Sequence, residues 1–142
     1  MDERTVCRMF NEGFACSQIC LSELSEEVGI DQALAKRIAA LFGGGAWSGE
    51  MCGAVSGCIM ALGLRYGNCE PNDLSGRELS ITKMHEFKKR FEAEYGSIVC
   101  RDIMGYDIST PEGMEKILEE NLFETRCAGL VCRAIQIARG ML

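Results

Sequence analysis

The stretch FGGGAWSGEMCGAVSG, Phe42 to Gly57, surrounds one cysteine with six glycines. Inside a helix, each glycine costs about 0.5–1 kcal/mol relative to alanine, so the cluster must serve a local need. The chain carries nine cysteines in 142 residues, which is high usage. Because a thiolate is both a nucleophile and a ligand for soft metals, these residues indicate thiol redox chemistry or metal binding centred on Cys52.

Three cysteines follow a residue that can cap a helix. Cys52, Cys100 and Cys127 each come within four residues of a preceding serine or threonine, and the first turn of a helix is predicted at each of them. Unpaired amides and the helix dipole there stabilise a thiolate, which can bring a cysteine pKa from about 8.5 down to roughly 3.5–7.5. We predict an exposed helix start at Cys52, a lowered thiol pKa, and a role as the nucleophile.

The other cysteines give weaker signals. Cys16 and Cys20 lie one turn apart in the first predicted helix and share a face, so they could share a metal or pack together. The remaining thiols are predicted to be small buried hydrophobes or idle loop thiols, namely Cys7, Cys58, Cys69 and Cys132.

These cysteines must be positioned by helices. Apolar residues recur with helical spacing from end to end and no stretch alternates as a strand would, so residues 1–142 are predicted to form one all-α domain, a compact bundle of about five to seven helices. Helices are predicted over residues 4–29 with a break at Gly13, then over 32–42 with Asp31 as cap, 48–67, a long segment ending near 95, 97–105, 109 or 110 to 121, and 125 to the end.

The long helix carries an apolar stripe that is predicted to pack in the core, formed by Ile81, Met84, Phe87, Phe91 and Tyr95. His85, the only histidine, lies beside this stripe and is predicted to be partly exposed or hydrogen-bonded. A Cys–His nucleophile pair would have to use this histidine in a charged helix, which argues against hydrolase chemistry. On the third predicted helix, Gly53 and Gly57 form a GxxxG face that lets a neighbouring backbone or a bound group come close.

The net charge and the distribution of apolar residues limit the classes of partner that are expected. The net charge of -6 repels phosphate backbones, so no nucleic-acid partner is expected. No apolar run approaches the ~20 residues that span a membrane, and the sequence MDERTVCRMF is unlike a secretory signal. We therefore expect a cytoplasmic protein without direct membrane insertion, in which reduced thiols work with an unknown redox partner protein.

The order of the cysteines carries a resemblance to a known family. Cys16, then Cys52-Gly53-Ala54-x-x-Gly57, then Cys100 and Cys127 resemble the C_GCAxxG_C_C family of redox-active proteins. FGGG, MALGLRYG, EFKKRFEAEYGSIVCRDIMGYDIST and CAGLVCRAIQIA look like further family blocks, so the resemblance spans nearly the whole chain. It implies a small redox-active protein. The candidate catalytic residues that it implies are Cys16, Cys52, Cys100 and Cys127, with Gly53, Ala54 and Gly57 as motif residues beside a bound group.

Three functions stay open on the sequence alone. The first is a thiol-disulfide oxidoreductase that requires no cofactor. The second is a zinc or iron-sulfur protein with the same four cysteines as ligands, although no C-x-x-C turn supports it. The third is a non-catalytic helical accessory subunit of an oxidoreductase or transporter system. The GxxxG face is also compatible with a homodimer, and the sequence does not decide between monomer and dimer.

Overall fold

The computed structural model describes residues 1–142 and contains nine α-helices and no strand, which confirms the predicted all-α domain. Seven of the helices have eight or more residues. In chain order they are α1 (Glu3–Asn11), α2 (Cys16–Glu23), α3 (Ser25–Val28), α4 (Gln32–Ala39), α5 (Gly53–Tyr66), α6 (Leu74–Tyr95), α7 (Cys100–Met104), α8 (Pro111–Glu119) and α9 (Ala128–Met141).

Several predicted helix ends are confirmed with their capping residues. Asp31 accepts a hydrogen bond of 2.8 Å from the Leu34 N–H at the start of α4. Thr110, rather than Ser109, caps α8 by accepting from the Gly113 N–H at 3.0 Å, with Pro111 as the first helical residue. The bounds of α6 also agree with the predicted long helix.

Three predicted bounds were wrong. The break predicted at Gly13 is present at residues 12–15, but the first segment forms three helices because the chain leaves the helix again at Leu24. Helix α4 ends at Ala39, before Leu41 and Phe42. The third long helix begins at Gly53 instead of Ser48, because the preceding residues turn with left-handed backbone angles that no α-helix accepts.

The core consists of two adjoining apolar clusters. The larger has 24 buried residues from α1, α2, α4, α5, α6, α7 and α9 and includes Phe87 and Phe91 of the predicted stripe. The smaller lies around α7 and α8 and contains Cys100, Met104, Ile108, Ile117 and Leu122. Ile81, at the outer end of the stripe, is 41 % exposed, and His85 is exposed.

No helix in the structure has both the length and the apolar character required to cross a membrane.

Candidate functional site

The candidate site is a small cavity at the boundary between the two core clusters. Its volume is about 30 Å³, close to that of one water molecule. Four cysteines from four distant parts of the sequence line it, together with glycines and apolar side chains: Cys16, Cys52, Cys100 and Cys127, with Gly44, Gly53, Ile103, Met104, Ile108, Phe123 and Leu130. The structure thus brings together all four cysteines that the sequence singled out.

Helix starts position three of these thiols. Cys16 is the first residue of α2, Cys52 immediately precedes α5, and Cys100 is the first residue of α7. The prediction that Cys16 lies inside a helix was wrong, because the chain breaks just before it. Cys127 ends a π-type turn, Phe123–Cys127, that leads without interruption into α9, so its surroundings are those of a helix interior.

An isolated antiparallel bridge between Met51 and Val99 aligns two of the helix starts. The Cys52 N–H donates to the Ile98 carbonyl at 2.7 Å, and the Cys100 N–H donates to the Glu50 carbonyl at 2.6 Å. These bonds satisfy one backbone amide on each cysteine and join segments that are far apart in sequence. No sequence signal indicated this bridge, because two residues per side are too few to form a strand pattern.

The motif glycines allow α5 to lie against α2. A Cβ atom at Gly53 would collide with the Cys16 sulfur and would lie 2.9 Å from the Phe42 carbonyl oxygen. A Cβ atom at Gly57 would lie 2.6 Å from the Ser17 carbonyl oxygen. Gly53 therefore sets the distance between α5 and the first cysteine, as the predicted close approach of a backbone requires.

The remaining glycines form a left-handed turn beside the cavity. Gly44, Gly45, Ala46 and Trp47 have φ values of 58°, 65°, 54° and 55°. Left-handed angles cost roughly 1–2 kcal/mol for a residue with a Cβ atom, so Ala46 and Trp47 hold backbone strain. The turn brings the Gly44 N–H close to the Cys16 sulfur, where it lowers the pKa of that thiol.

Burial controls the ionisation of the four thiols. Loss of solvent raises the pKa of Cys16 to about 11, against the weaker lowering by the Gly44 N–H. Burial, followed by the nearby Cys16 and Asp107, raises the pKa of Cys100 to about 11. Burial also raises the pKa of Cys127, whose thiol donates to the Met104 sulfur at 3.4 Å.

The predicted exposure and lowered pKa of Cys52 were wrong. Its residue is only 7 % exposed, and burial holds the pKa of the Cys52 thiol well above its usual range. The N–H groups of Val55 and Ala54 do lower the pKa of this thiol, as expected at a helix start, but desolvation outweighs them. The same correction applies to Cys100 and Cys127, whose pKa values were also predicted to be lowered.

Cys16 is more accessible than Cys52. It also lies in the wall of a wider pocket of about 360 Å³ that opens at the surface and shares Gly44, Ile108 and Phe123 with the small cavity. Sequence reasoning missed this pocket, because its walls come from five separate segments of the chain.

The five other cysteines do not line the cavity. Cys20 and Cys58 are fully buried in the larger core cluster, where burial and the neighbouring Cys58 thiol raise the pKa of Cys20. Cys7 and Cys132 are partly buried, and Cys69 is exposed. All nine cysteines are free thiols in this structure.

The comparison with known families agrees with the arrangement of the cysteines. A family profile described as "Putative redox-active protein (C_GCAxxG_C_C)" matches residues 14–141. The chain belongs to this family. In the C_GCAxxG_C_C name a glycine precedes the second cysteine, whereas here Cys52 precedes Gly53, and Ala54 and Gly57 follow in the named order. No curated protein and no solved structure matches the chain.

Proposed function

We propose that this C_GCAxxG_C_C protein carries out thiol-disulfide exchange with the four cysteines around the small cavity. The observation that carries the proposal is their convergence, because residues 16, 52, 100 and 127 line a cavity of about 30 Å³ although they lie far apart in the sequence. The family's redox description points to the same chemistry.

Cys16 is the best-placed thiol to react first. It is partly exposed and is shared between the cavity and the wider pocket, whereas Cys52 is buried. Cys52, which the sequence favoured as nucleophile, is then the natural resolving thiol, because its helix start lies against Cys16 through Gly53.

The exchange balances as a two-electron reaction. The Cys16 thiol loses a proton to solvent, and its sulfur attacks one sulfur of a disulfide partner, forming a mixed disulfide and releasing the partner's other sulfur, which takes up a proton. A second cavity thiol then loses its proton and attacks the Cys16 sulfur. An internal disulfide forms, the partner leaves as a dithiol, and two electrons and two protons have moved to it.

Because their pKa values are raised, the thiols of Cys16 and Cys100 stay protonated and unreactive until a partner binds. Around neutral pH the thiols are protonated and react slowly with exogenous disulfides, since the thiolate is the nucleophile. The N–H of Gly44 lies close to the Cys16 sulfur and favours the thiolate when it forms.

Metal binding is less well supported by the side-chain positions. No three His, Cys, Asp or Glu side chains lie close enough together to hold a metal ion in this conformation. Four-coordinate zinc or cluster binding would need the cavity thiols to move towards one another.

The test combines oxidation and metal analysis on protein purified without oxygen. We expect oxidised dithiothreitol to lower the mass by two hydrogens reversibly, and peptide mapping to place the disulfide between Cys16 and Cys52. The variants Cys16→Ser and Cys52→Ser should lose this product, and the exposed-thiol variant Cys69→Ser should keep it. A disulfide that survives in Cys16→Ser, or a stoichiometric metal released on unfolding, would refute the proposal.

A further inference from the structure

The wider pocket beside Cys16 has an apolar lining. Nine of its eleven lining residues are hydrophobic, and the other two are Gly13 and Gly44, so no charged side chain lines it. Four of the hydrophobic residues are aromatic: Phe10, Phe14, Trp47 and Phe123. With a volume of about 360 Å³, it lies at the lower end of the range for small-molecule sites.

The aromatic walls are held in place by contacts with one another and with a neighbouring cation. The rings of Phe10 and Phe123 lie 6.0 Å apart between centroids, so α1 and the turn before α9 support each other. The Lys36 ammonium lies 4.4 Å from the centroid of the Phe14 ring, which fixes that ring without placing a charge in the pocket lining.

Trp47 forms part of the mouth because of the strained turn. Its backbone φ of 55° directs the indole over Gly44, where a Cβ atom would lie 3.2 Å from the Trp47 ring. Trp47 is 48 % exposed while lining the pocket, and Leu118, which also lines it, is 62 % exposed. Exposed apolar side chains around a concave apolar site are typical of a surface that a ligand covers.

We propose that this pocket binds an uncharged, flat, apolar small molecule in contact with Cys16. The class of molecule follows from the pocket's lining, which is aromatic and carries no charged side chain. A charged tripeptide disulfide such as oxidised glutathione would bury its carboxylates and ammonium without a partner, whereas an aromatic molecule would stack on the ring walls. On the proposed function, this molecule is an uncharged aromatic disulfide. The Cys16 sulfur attacks one of its sulfurs and the other leaves as a thiol; attack by a second cavity thiol on Cys16 then releases the first as a thiol, so that two electrons and two protons reach the substrate.

The first experiment uses N-phenyl-1-naphthylamine, an uncharged aromatic fluorophore, with the reduced protein. Because Trp47 is the only tryptophan, its emission reports directly on the mouth of the pocket. We expect saturable binding of one probe per chain, with energy transfer from Trp47 and at least fivefold slower alkylation of Cys16 by iodoacetamide. Alkylation of the exposed Cys69 in the same sample should not change.

Matched variants locate the probe. Leu118→Lys alters the rim and should weaken binding at least fivefold, whereas Leu79→Lys changes a similarly exposed leucine on α6, 47 % exposed, and should bind like the unaltered protein. Equal loss in both lysine variants, or no saturable binding, would overturn the inference.

Two further outcomes separate the inference from the proposed function. Reversible internal disulfide formation without probe binding would overturn the pocket assignment and leave the thiol chemistry intact, and probe binding without disulfide formation would do the reverse. If the unaltered protein were a dimer that Leu118→Lys converted to a monomer, the pocket would be a contact between copies and the inference would be wrong.

Discussion

At Cys16, two opposing influences act on the same sulfur atom. Its place at the first residue of α2 and the Gly44 N–H favour the thiolate, and the loss of solvent favours the thiol. Burial is the larger effect, because the pKa of Cys16 rises to about 11. A protein with this arrangement keeps its reactive cysteine protonated until a partner or a change in conformation alters the surroundings.

The first prediction concerns the pH dependence of Cys16 alkylation. Because the pKa of Cys16 lies near 11, its thiolate fraction and its rate with iodoacetamide should rise about tenfold per pH unit from pH 7 to about 10 without levelling off. Quantitative peptide mass spectrometry measures the rate. A rate that levels off below pH 8 would show that the thiol is activated rather than suppressed.

The identities of the site residues could be predicted from the sequence, but their surroundings could not. The predicted helix starts selected Cys52, Cys100 and Cys127, and the resemblance to the C_GCAxxG_C_C family added Cys16 to complete the set that lines the cavity. Their burial depends on Ile103 and Met104 of α7 and on Leu130 of α9, which line the same cavity. A helix start was therefore read as exposed when the tertiary structure encloses it.

Helix α5 lies against α2 through its two motif glycines. Each glycine faces backbone or sulfur of the first two residues of α2, so the approach of the helices and the position of Cys16 depend on the same missing side chains. Gly63 lies farther along α5, with no atom within 4 Å of a Cβ placed on it. Helix α5 thus contains a glycine in tight contact with its neighbours, Gly53, and a glycine with free space around it, Gly63.

The second prediction compares these two glycines. Gly53→Ala should lower the free energy of unfolding by roughly 2–4 kcal/mol, because the new methyl group meets the Cys16 sulfur and the backbone of Phe42 and Gly43. Gly63→Ala should raise it by about 0.5–1 kcal/mol through better helix propensity. Urea denaturation measures both values, and similar effects of the two substitutions would contradict the packing described here.

The third prediction concerns strain in the left-handed turn. Ala46 is exposed and has a φ of 54°, so Ala46→Gly should relieve strain and raise the free energy of unfolding by about 0.5–1 kcal/mol. Ala93→Gly, at an exposed position within α6, should lower it by a similar amount. Thermal unfolding checks both, and destabilisation by Ala46→Gly would show that the turn is not strained.

At the scale of the whole molecule, helical periodicity was sufficient to predict the all-α fold. The Asp31, Thr110 and Gly105 signals marked helix ends correctly, because capping depends on residues close in sequence. The left-handed backbone angles of Ala46 and Trp47 and the bridge between Met51 and Val99 were not predicted. Both depend on contacts between distant segments, and Ala46 and Trp47 have no preference for left-handed angles.

The last prediction concerns the stability of the whole fold in alkali. Cysteines whose pKa is raised in the folded protein release protons at lower pH when the chain unfolds, so they stabilise the fold fully below the unfolded-state pKa and lose that contribution as the pH rises through the folded-state value. With Cys16 and Cys100 both near 11, the free energy of unfolding should fall by about 2–5 kcal/mol between pH 8 and 11.

Chemical denaturation across this pH range measures the fall, with two variants to assign it. Cys100→Ala removes one buried thiol and should give a lower starting stability but a shallower decline, because one proton fewer is released on unfolding. Cys69→Ser changes an exposed thiol and should not alter the dependence of the free energy of unfolding on pH. An equally steep decline in Cys100→Ala would mean that groups other than the cavity thiols control alkaline stability, and that the cavity is more open to water than its lining indicates.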